Sequence, residues 1–530
     1  MGSGGRGKYI LIAILLVASF FRFYGINFGL PFIYDPDEPI FVNHAIVMLR
    51  NHDPNPHWFG APASPTIYLV AGIAATQYAI GKISGKYSNP IEFRDSYFLD
   101  PGIVYLPGRI LFALFGIASV FLLYKVALRI SKQPVALVAA AMLAISPLHV
   151  EYSKYIRMDV QLGFFLLLAF WFCLNIFQRQ DFKSYLIAGF LIGVASVTKY
   201  YGIFFGVVYL LSHFLAVGFS TKHIKPFIVG LVMIVVGAFL AAPFVFLDYK
   251  AVLRDVHIEA VAEFVGLPRG NFIDNVIWFV MKASVDSVGR IGVLMVCIGF
   301  ILLILKERKI GVLVVAFPLV LILFLSTLGI RWERWIVPAV PYLCILASIS
   351  IFAISDYFGR LSPRLVPVVA ILLVATTIFP LVQVSFIQSR ELSGGDTRTE
   401  AFNWMLQNIP SGSKVLGEAY TPQLPGDRYD MFYIRDDGEL RQANSKRSAH
   451  YRLGGHIGKV RTLDKVKEAG IQYVVMSHMY NRYLNDRRYP AALQKYEAVM
   501  NGSTLLYEVK REPGKNRGPH VRVFRLDLHR

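Results

Sequence analysis

The chain has 530 residues, 55% hydrophobic, 14% aromatic and only 17% charged, with a formal net charge of +19. Soluble chains carry about a quarter charged residues, so this deficit, with long apolar runs and a positive mean hydropathy, excludes an ordinary soluble enzyme, a disordered chain and a fibre. The excess of Lys and Arg suits anionic lipid headgroups or a phosphate-bearing substrate rather than nucleic acid, because no basic run is interleaved with a nucleic-acid fold motif.

A spanning helix takes about 20 mostly apolar residues, since no backbone polar group goes unpaired in hydrocarbon. That rule predicts eleven helices, at 9–30, 104–128, 134–150, 159–178, 184–198, 200–219, 225–246, 289–305, 310–328, 335–354 and 365–386. The first follows Arg6 and Lys8, is too long for a signal peptide and reads as a retained anchor. Five basic clusters lie in short loops: Lys125/Arg129/Lys132, Arg179/Lys183, Lys222/Lys225, Lys306/Arg308/Lys309 and Arg360/Arg364. With a cytoplasmic N-terminus all five fall inside, which places the C-terminal tail outside.

Two outer segments are large, 31–103 and 247–288. The first holds an apolar run at 66–80 behind Pro62 and Pro65; counting it as a span would put every later basic cluster outside, so it reads as an interfacial helix. The second mixes charge with aromatics and is expected to carry another. Residues 1–386 thus form a membrane domain and 387–530 an extracytoplasmic soluble one. In the latter, helix-like stretches (399–408, 462–469, 490–499) alternate with strand-like ones (414–419, 472–476, 504–509, 521–526), the pattern of an α/β or α+β domain.

The chemistry-bearing residues are those out of place under the positive-inside rule. Arg109, Lys154, Arg157, Lys199, Arg290, Arg331 and Arg334 collect at outer helix ends, facing Asp35, Asp37, Glu38, Glu151 and Asp159. Such a rim suits a phosphate, bound bidentately by Arg and as a point charge by Lys, with a carboxylate placed to take a proton from a hydroxyl. Blander readings stand beside these: Arg109 and Arg290 as snorkelling residues, Lys154, Arg157 and Asp159 as a local ion-pair network, Arg331 and Arg334 as interface anchors, Asp37-Glu38 as a mere turn. Cys173, Cys297 and Cys344 lie in apolar runs and form neither a disulfide framework nor a zinc spacing. His44, His52 and His57 make no metal set by spacing, and Asn501-Gly502-Ser503 fits an N-glycosylation sequon.

Several motifs resemble those of the GT-C glycosyltransferases in order and in sidedness. Tyr34-Asp35-Pro36-Asp37-Glu38, with Phe41 and Met48-Leu49-Arg50, resembles their first outer loop; Ser64-Pro65-Thr66-Ile67-Tyr68-Leu69 resembles the start of their juxtamembrane helix. Leu106-Pro107-Gly108-Arg109, Ser146-Pro147, Tyr152-Ser153-Lys154, Arg157-Met158-Asp159, Thr198-Lys199-Tyr200 and Arg334-Trp335 with Pro338 and Pro341 follow their later motifs. Within that group the chain resembles the protein O-mannosyltransferases and the aminoarabinose transferases that modify lipid A.

The resemblance implies a polytopic α-helical membrane protein of GT-C fold with outer juxtamembrane helices, and an inverting transferase on the extracytoplasmic face. It would move a sugar from a polyprenyl-phosphate carrier to an acceptor hydroxyl on a protein, lipid or polysaccharide. Asp37 would be the base, with Glu38 supporting it or binding the acceptor. Lys199, Arg157, Lys154, Arg334 and Arg331 would bind the donor phosphate. The sequence requires no cofactor; a divalent metal held by Asp37 and Asp159 stays open, since some members hold one and others do not. One departure matters: Ala63-Ser64-Pro65 stands where the lipid A modifiers carry Lys before a Pro-Pro pair, which tells against an aminoarabinose donor. The absence of outer-domain cysteines points to a prokaryotic plasma membrane. A transporter or flippase for a lipid-linked or anionic solute is the competing class, but it would bring inverted repeats and broken helices at the midplane. A non-catalytic assembly subunit is a third.

Overall fold

A computed structural model describes residues 3–261, 264–266, 270–443, 455–486 and 488–527. Among these, eight helices are long and apolar enough to cross a membrane: Gly102–Ile130, Met158–Arg179, Tyr200–Val217, Thr221–Ala241, Phe272–Lys306, Arg308–Ser326, Glu333–Phe358 and Leu365–Ser393. Two shorter apolar helices, Gln133–Ala144 and Phe182–Thr198, pack among them. The amino-terminal helix Ser3–Phe23 adds Leu11, Ala18 and Phe21 to the same core. The chain is an integral membrane protein.

Several predicted spans differ in their bounds, and three of the differences have a clear backbone reason. The first helix ends at Phe23 rather than 30, because Gly25 and Gly29 adopt φ of +77° and +72° and the chain leaves the helix in turns. The stretch 134–150 is two helices: Gln133–Ala144 stops before Pro147, whose ring would clash with the carbonyl one turn back, and Pro147–Tyr152 follows. The span expected to begin at 289 is the second half of a helix that starts at Phe272, passes a π-helical turn at Phe279–Ala283 and breaks at Gly289, φ +75°. Ser284, Asp286 and Ser287 interrupt the apolar run there, so hydropathy loses the helix where its backbone continues. The second loop segment is correspondingly shorter, with one helix at Tyr249–Val261.

Helices Phe182–Thr198 and Ile224–Ala241 meet through glycine. A Cβ on Gly189 would stand 2.0 Å from the Gly230 carbonyl oxygen, and one on Gly193 2.1 Å from that of Ile234. Small residues bring the backbones together where no hydrophobic force drives association in lipid. At the loop-bearing end, helices Glu38–Asn51 and Ser64–Ile83 share a second apolar cluster with Phe93, Tyr97, Tyr105 and Phe112, so this segment lies on the bundle as a packed layer.

The carboxy-terminal part is a sheet domain. Its strands are β1 (Lys414–Gly417), β2 (Asp430–Ile434), β3 (Leu440–Gln442), β4 (Tyr473–Met476), β5 (Ser503–Val509) and β6 (Val521–Leu526), in the order β3-β2-β1-β4-β6-β5. The centre, β2-β1-β4, is parallel and both flanks are antiparallel. Helices Thr397–Asn408 and Pro490–Asn501 contribute to clusters that cover both faces. Sequence patterning misses β2 and β3, which are short and include Asp430, Arg441 and Gln442.

Candidate active site

The site is built from the loop Tyr34-Asp35-Pro36-Asp37-Glu38-Pro39 and three helix ends that meet it. Asp35 shapes the loop: its Oδ1 accepts from the amides of Asp37 at 2.9 Å and Glu38 at 3.0 Å, satisfying donors at the start of the following helix. Arg157, in extended backbone one residue before helix Met158–Arg179, sends one Nη2 to both oxygens of Asp35 (3.0 and 2.7 Å) and Nη1 to Asp37 Oδ2 (2.8 Å). Arg334, in the 3-10 turn Glu333–Ala339, reaches the same Oδ2 at 3.3 Å. Lys199, in the turn after helix Phe182–Thr198, pairs with Asp159 Oδ1 at 2.7 Å.

Charge is arranged unevenly across this cluster. Burial pushes the Asp35 carboxyl up, but the Arg157 guanidinium and the two amides outweigh it and hold it below its ordinary value. Burial lowers Arg157, and Asp35 with Asp37 more than restores it, so its charge is permanent. Burial lowers Lys199 as well; Asp159 opposes this, Arg334 and Arg157 reinforce it, and the net direction is down. The Asp37 side chain is 29% exposed, against 8% for Asp35 and 1% for Asp159. Of these three carboxylates Asp37 is the one open to a substrate.

Other residues singled out in the sequence have different places. Glu38 is fully buried: Oε1 and Oε2 take Arg109 Nε at 2.9 Å and Nη2 at 2.7 Å, and Oε1 also takes the amide of Ile156 at 3.0 Å. The expectation that Glu38 binds an acceptor is corrected by that burial, and so is the reading of Arg109 as a snorkelling residue. Lys154 is buried too, with Nζ donating to the Tyr24 carbonyl and to Ser389 Oγ, both at 2.8 Å. It ties helices together and turns no charge toward a donor phosphate; burial brings its pKa down to about 7. Arg331 lies over the Trp278 ring and reaches Asn275 at 3.4 Å, an anchoring contact. Arg290 is exposed.

Asp37 and Asp159, the residues expected to hold a metal, are each engaged by cations. Both recorded ion pairs of Asp37 use Oδ2, and Asp159 Oδ1 is taken by Lys199. Among the described residues no group of three His, Cys, Asp or Glu side chains is placed to hold an ion.

Sequence reasoning missed two neighbours. Glu259, on the exposed helix Tyr249–Val261, has its carboxyl pushed up, first by partial burial and then by the charges of Asp37 and Asp255. A cavity of about 110 Å³ opens beside Asp35, where Phe28, Tyr34 and Tyr155 face Asp396, Arg398 and Arg517 of the carboxy-terminal region. Neither has a local sequence signal, because each joins segments far apart in the chain.

The architecture defines an integral membrane protein with the GT-C fold. Residues 102–246 match the family described as dolichyl-phosphate-mannose-protein mannosyltransferase. The crystal structure of ArnT from Cupriavidus metallidurans, both apo and bound to undecaprenyl phosphate, is similar at TM-score 0.55 and 14% identity, covering 98% of each chain. The archaeal oligosaccharyltransferase AglB from Archaeoglobus fulgidus, in complex with an inhibitory peptide and a dolichol-phosphate, is similar at TM-score 0.53 and 12% identity, over 97% of this chain and 74% of that one. No curated protein matches by sequence.

Proposed function

We propose that the chain is an inverting glycosyltransferase that moves a sugar from a polyprenyl-phosphate carrier to an acceptor hydroxyl on the extracytoplasmic face of the membrane, in the manner of a protein O-mannosyltransferase. One observation carries the reading: Asp37, partly open to solvent, sits between the guanidinium groups of Arg157 and Arg334, at 2.8 and 3.3 Å. Both cations approach Oδ2, and the partly open carboxylate is the group placed to take the proton. The acceptor O–H gives its proton to Asp37 as its oxygen attacks the anomeric carbon. The bond from that carbon to the phosphate oxygen breaks on the opposite face, and the polyprenyl phosphate leaves with the bonding pair. Arg157, Arg334 and Lys199 supply fixed positive charge where the leaving group gains negative charge.

The sidedness rests on the five basic clusters of the short loops, which share one side with the N-terminus. The family match and the undecaprenyl phosphate and dolichol-phosphate held by ArnT and AglB support a lipid-phosphate donor. The test is mass spectrometry of membrane lipids and surface glycans from a deletion host carrying either wild type or Asp37→Asn. Accumulation of a polyprenyl-phosphate sugar, with loss of that sugar from one surface glycan, names donor and acceptor together. Identical profiles from the two strains would sink the reading.

A further inference from the structure

The acidic loop is held from outside the membrane bundle. Arg398, in the first turn of helix Thr397–Asn408, donates Nη1 to the Tyr34 carbonyl at 3.0 Å, and its guanidinium lies 3.9 Å from the Tyr34 ring centre. The Tyr34 hydroxyl meets Thr399 Oγ1 at 2.7 Å. Two residues earlier, Phe32 packs edge-on against Phe402, ring centres 4.9 Å apart. Arg398 is itself immobilised: Nε and Nη2 grip the two oxygens of Asp396, each at 2.7 Å.

These contacts exceed what docking the domain needs. Arg511 on Glu391 and Arg517 on Glu151, at 2.7 and 2.8 Å, already join it to the bundle. The Tyr34 contacts fall instead on the residue next to Asp35, which caps the Asp37 and Glu38 amides and pairs with Arg157. Pro36 leaves little slack between Tyr34 and Asp37. A shift of Tyr34 therefore moves the capping carboxylate, and with it the geometry of Asp37.

We infer that Arg398 and Thr399 are positioning residues for the acidic loop: by holding Tyr34 they fix Asp35 and Asp37 against Arg157, so the carboxy-terminal domain completes the active site. The catalytic consequence rests on the transferase reading above; the mechanical coupling does not.

Hydrogen–deuterium exchange of the full chain in nanodiscs, comparing wild type with Arg398→Ala, Thr399→Val and Tyr34→Phe, separates the two. The Asp37 and Glu38 amides should exchange about tenfold faster in Arg398→Ala and about threefold faster in the two hydroxyl deletions, with β4 unchanged. Those deletions keep the test open should Arg398→Ala fail to fold. Arg461→Ala, which breaks an exposed pair with Glu439, should leave the loop untouched. Unchanged loop exchange in all three variants, or loop and β4 loosening together, would overturn the coupling. In the deletion host, Arg398→Ala should accumulate the same lipid as Asp37→Asn. If Asp37→Asn accumulates it and Arg398→Ala does not, positioning is wrong and the transferase stands. If the loop loosens and neither variant alters the lipids, the transferase reading fails and the mechanical coupling stands.

Discussion

Asp37 and Glu38 are consecutive acids, each bound to arginine, and the molecule uses them in opposite ways. Glu38 and Arg109 are both 0% exposed, and Arg109 also donates to the carbonyls of Ile26 and Phe28 at 3.1 and 2.8 Å. Every side-chain nitrogen and carboxylate oxygen in that pair has a hydrogen-bond partner, so it is a clamp between the first loop and helix Gly102–Ile130. Asp37 has two cations on one oxygen and a side chain 29% exposed. It shares Arg157 with Asp35, and its side chain is still partly open to solvent. Complete pairing under burial gives rigidity; incomplete pairing beside water leaves capacity for a substrate.

The largest expected effect tests the clamp. Glu38→Ala or Arg109→Ala leaves one buried charge without its partner, at a cost of about 3–5 kcal/mol. Neither variant should yield protein that melts near wild type. Glu38→Gln combined with Arg109→Met, which removes both charges, should recover part of that loss. A single variant with wild-type melting would remove the distinction between the two acids. Next comes Asp37→Asn, expected to melt within about 1 kcal/mol of wild type while turnover falls on the order of 10²–10⁴-fold, the range for a lost general base. A large fall in melting temperature there would make Asp37 a second clamp.

What the sequence reveals follows from the range of each interaction. Hydropathy is a local sum, so the long apolar helices are legible from the residues they contain. The convergence of Asp37, Arg157, Asp159, Lys199 and Arg334 is legible from ordered motifs at helix ends that share one rim. The division of labour among the charges is not. Lys154 and Arg157 look alike in sequence, yet the partners of Lys154, Tyr24 and Ser389, lie 130 and 235 positions away and leave no local trace. Glu38 finds Arg109 71 residues on, and Arg398 finds Tyr34 364 residues back. The break at Gly289 is hidden for the opposite reason: it depends on one φ value inside a stretch that otherwise reads as helix.

Lys199 and Asp159 lie between the two extremes, at 10% and 1% exposed. Among the described residues Asp159 Oδ2 is buried with no hydrogen-bond partner, so Lys199 is the cation that carries this carboxylate. Lys199→Ala should therefore act twice, costing about 3 kcal/mol of stability and weakening undecaprenyl phosphate binding about tenfold. Asp159→Asn with Lys199→Met separates these effects: melting should return while binding stays weak, as read by thermal shift and native mass spectrometry. Recovery of both would make the pair structural, like Glu38–Arg109.

The smallest effect comes from a buried carboxylate that, among the described residues, has hydrogen bonds but no cation. Glu418, at the end of β1, accepts from the Ser477 amide and hydroxyl at 2.6 and 2.9 Å, from the Tyr496 hydroxyl at 2.6 Å and from the Ile457 amide at 3.2 Å. Burial raises its pKa above the ordinary 4.5, and these neutral donors only partly oppose the rise. The folded domain therefore holds this proton more tightly than the unfolded chain does. The stabilisation is complete below the unfolded pKa and is lost as pH climbs through the folded one, each unit of displacement being worth about 1.4 kcal/mol. Glu418→Gln cannot titrate, and the histidines of the domain are common to both proteins and cancel in the difference. The melting temperature of wild type minus that of Glu418→Gln should fall as pH rises from about 4 to 7. A difference that stays flat, or climbs, would mean that hydrogen bonds alone hold this carboxylate as ionised as a guanidinium holds Asp35, and exposure rather than pairing would be what sets Asp37 apart.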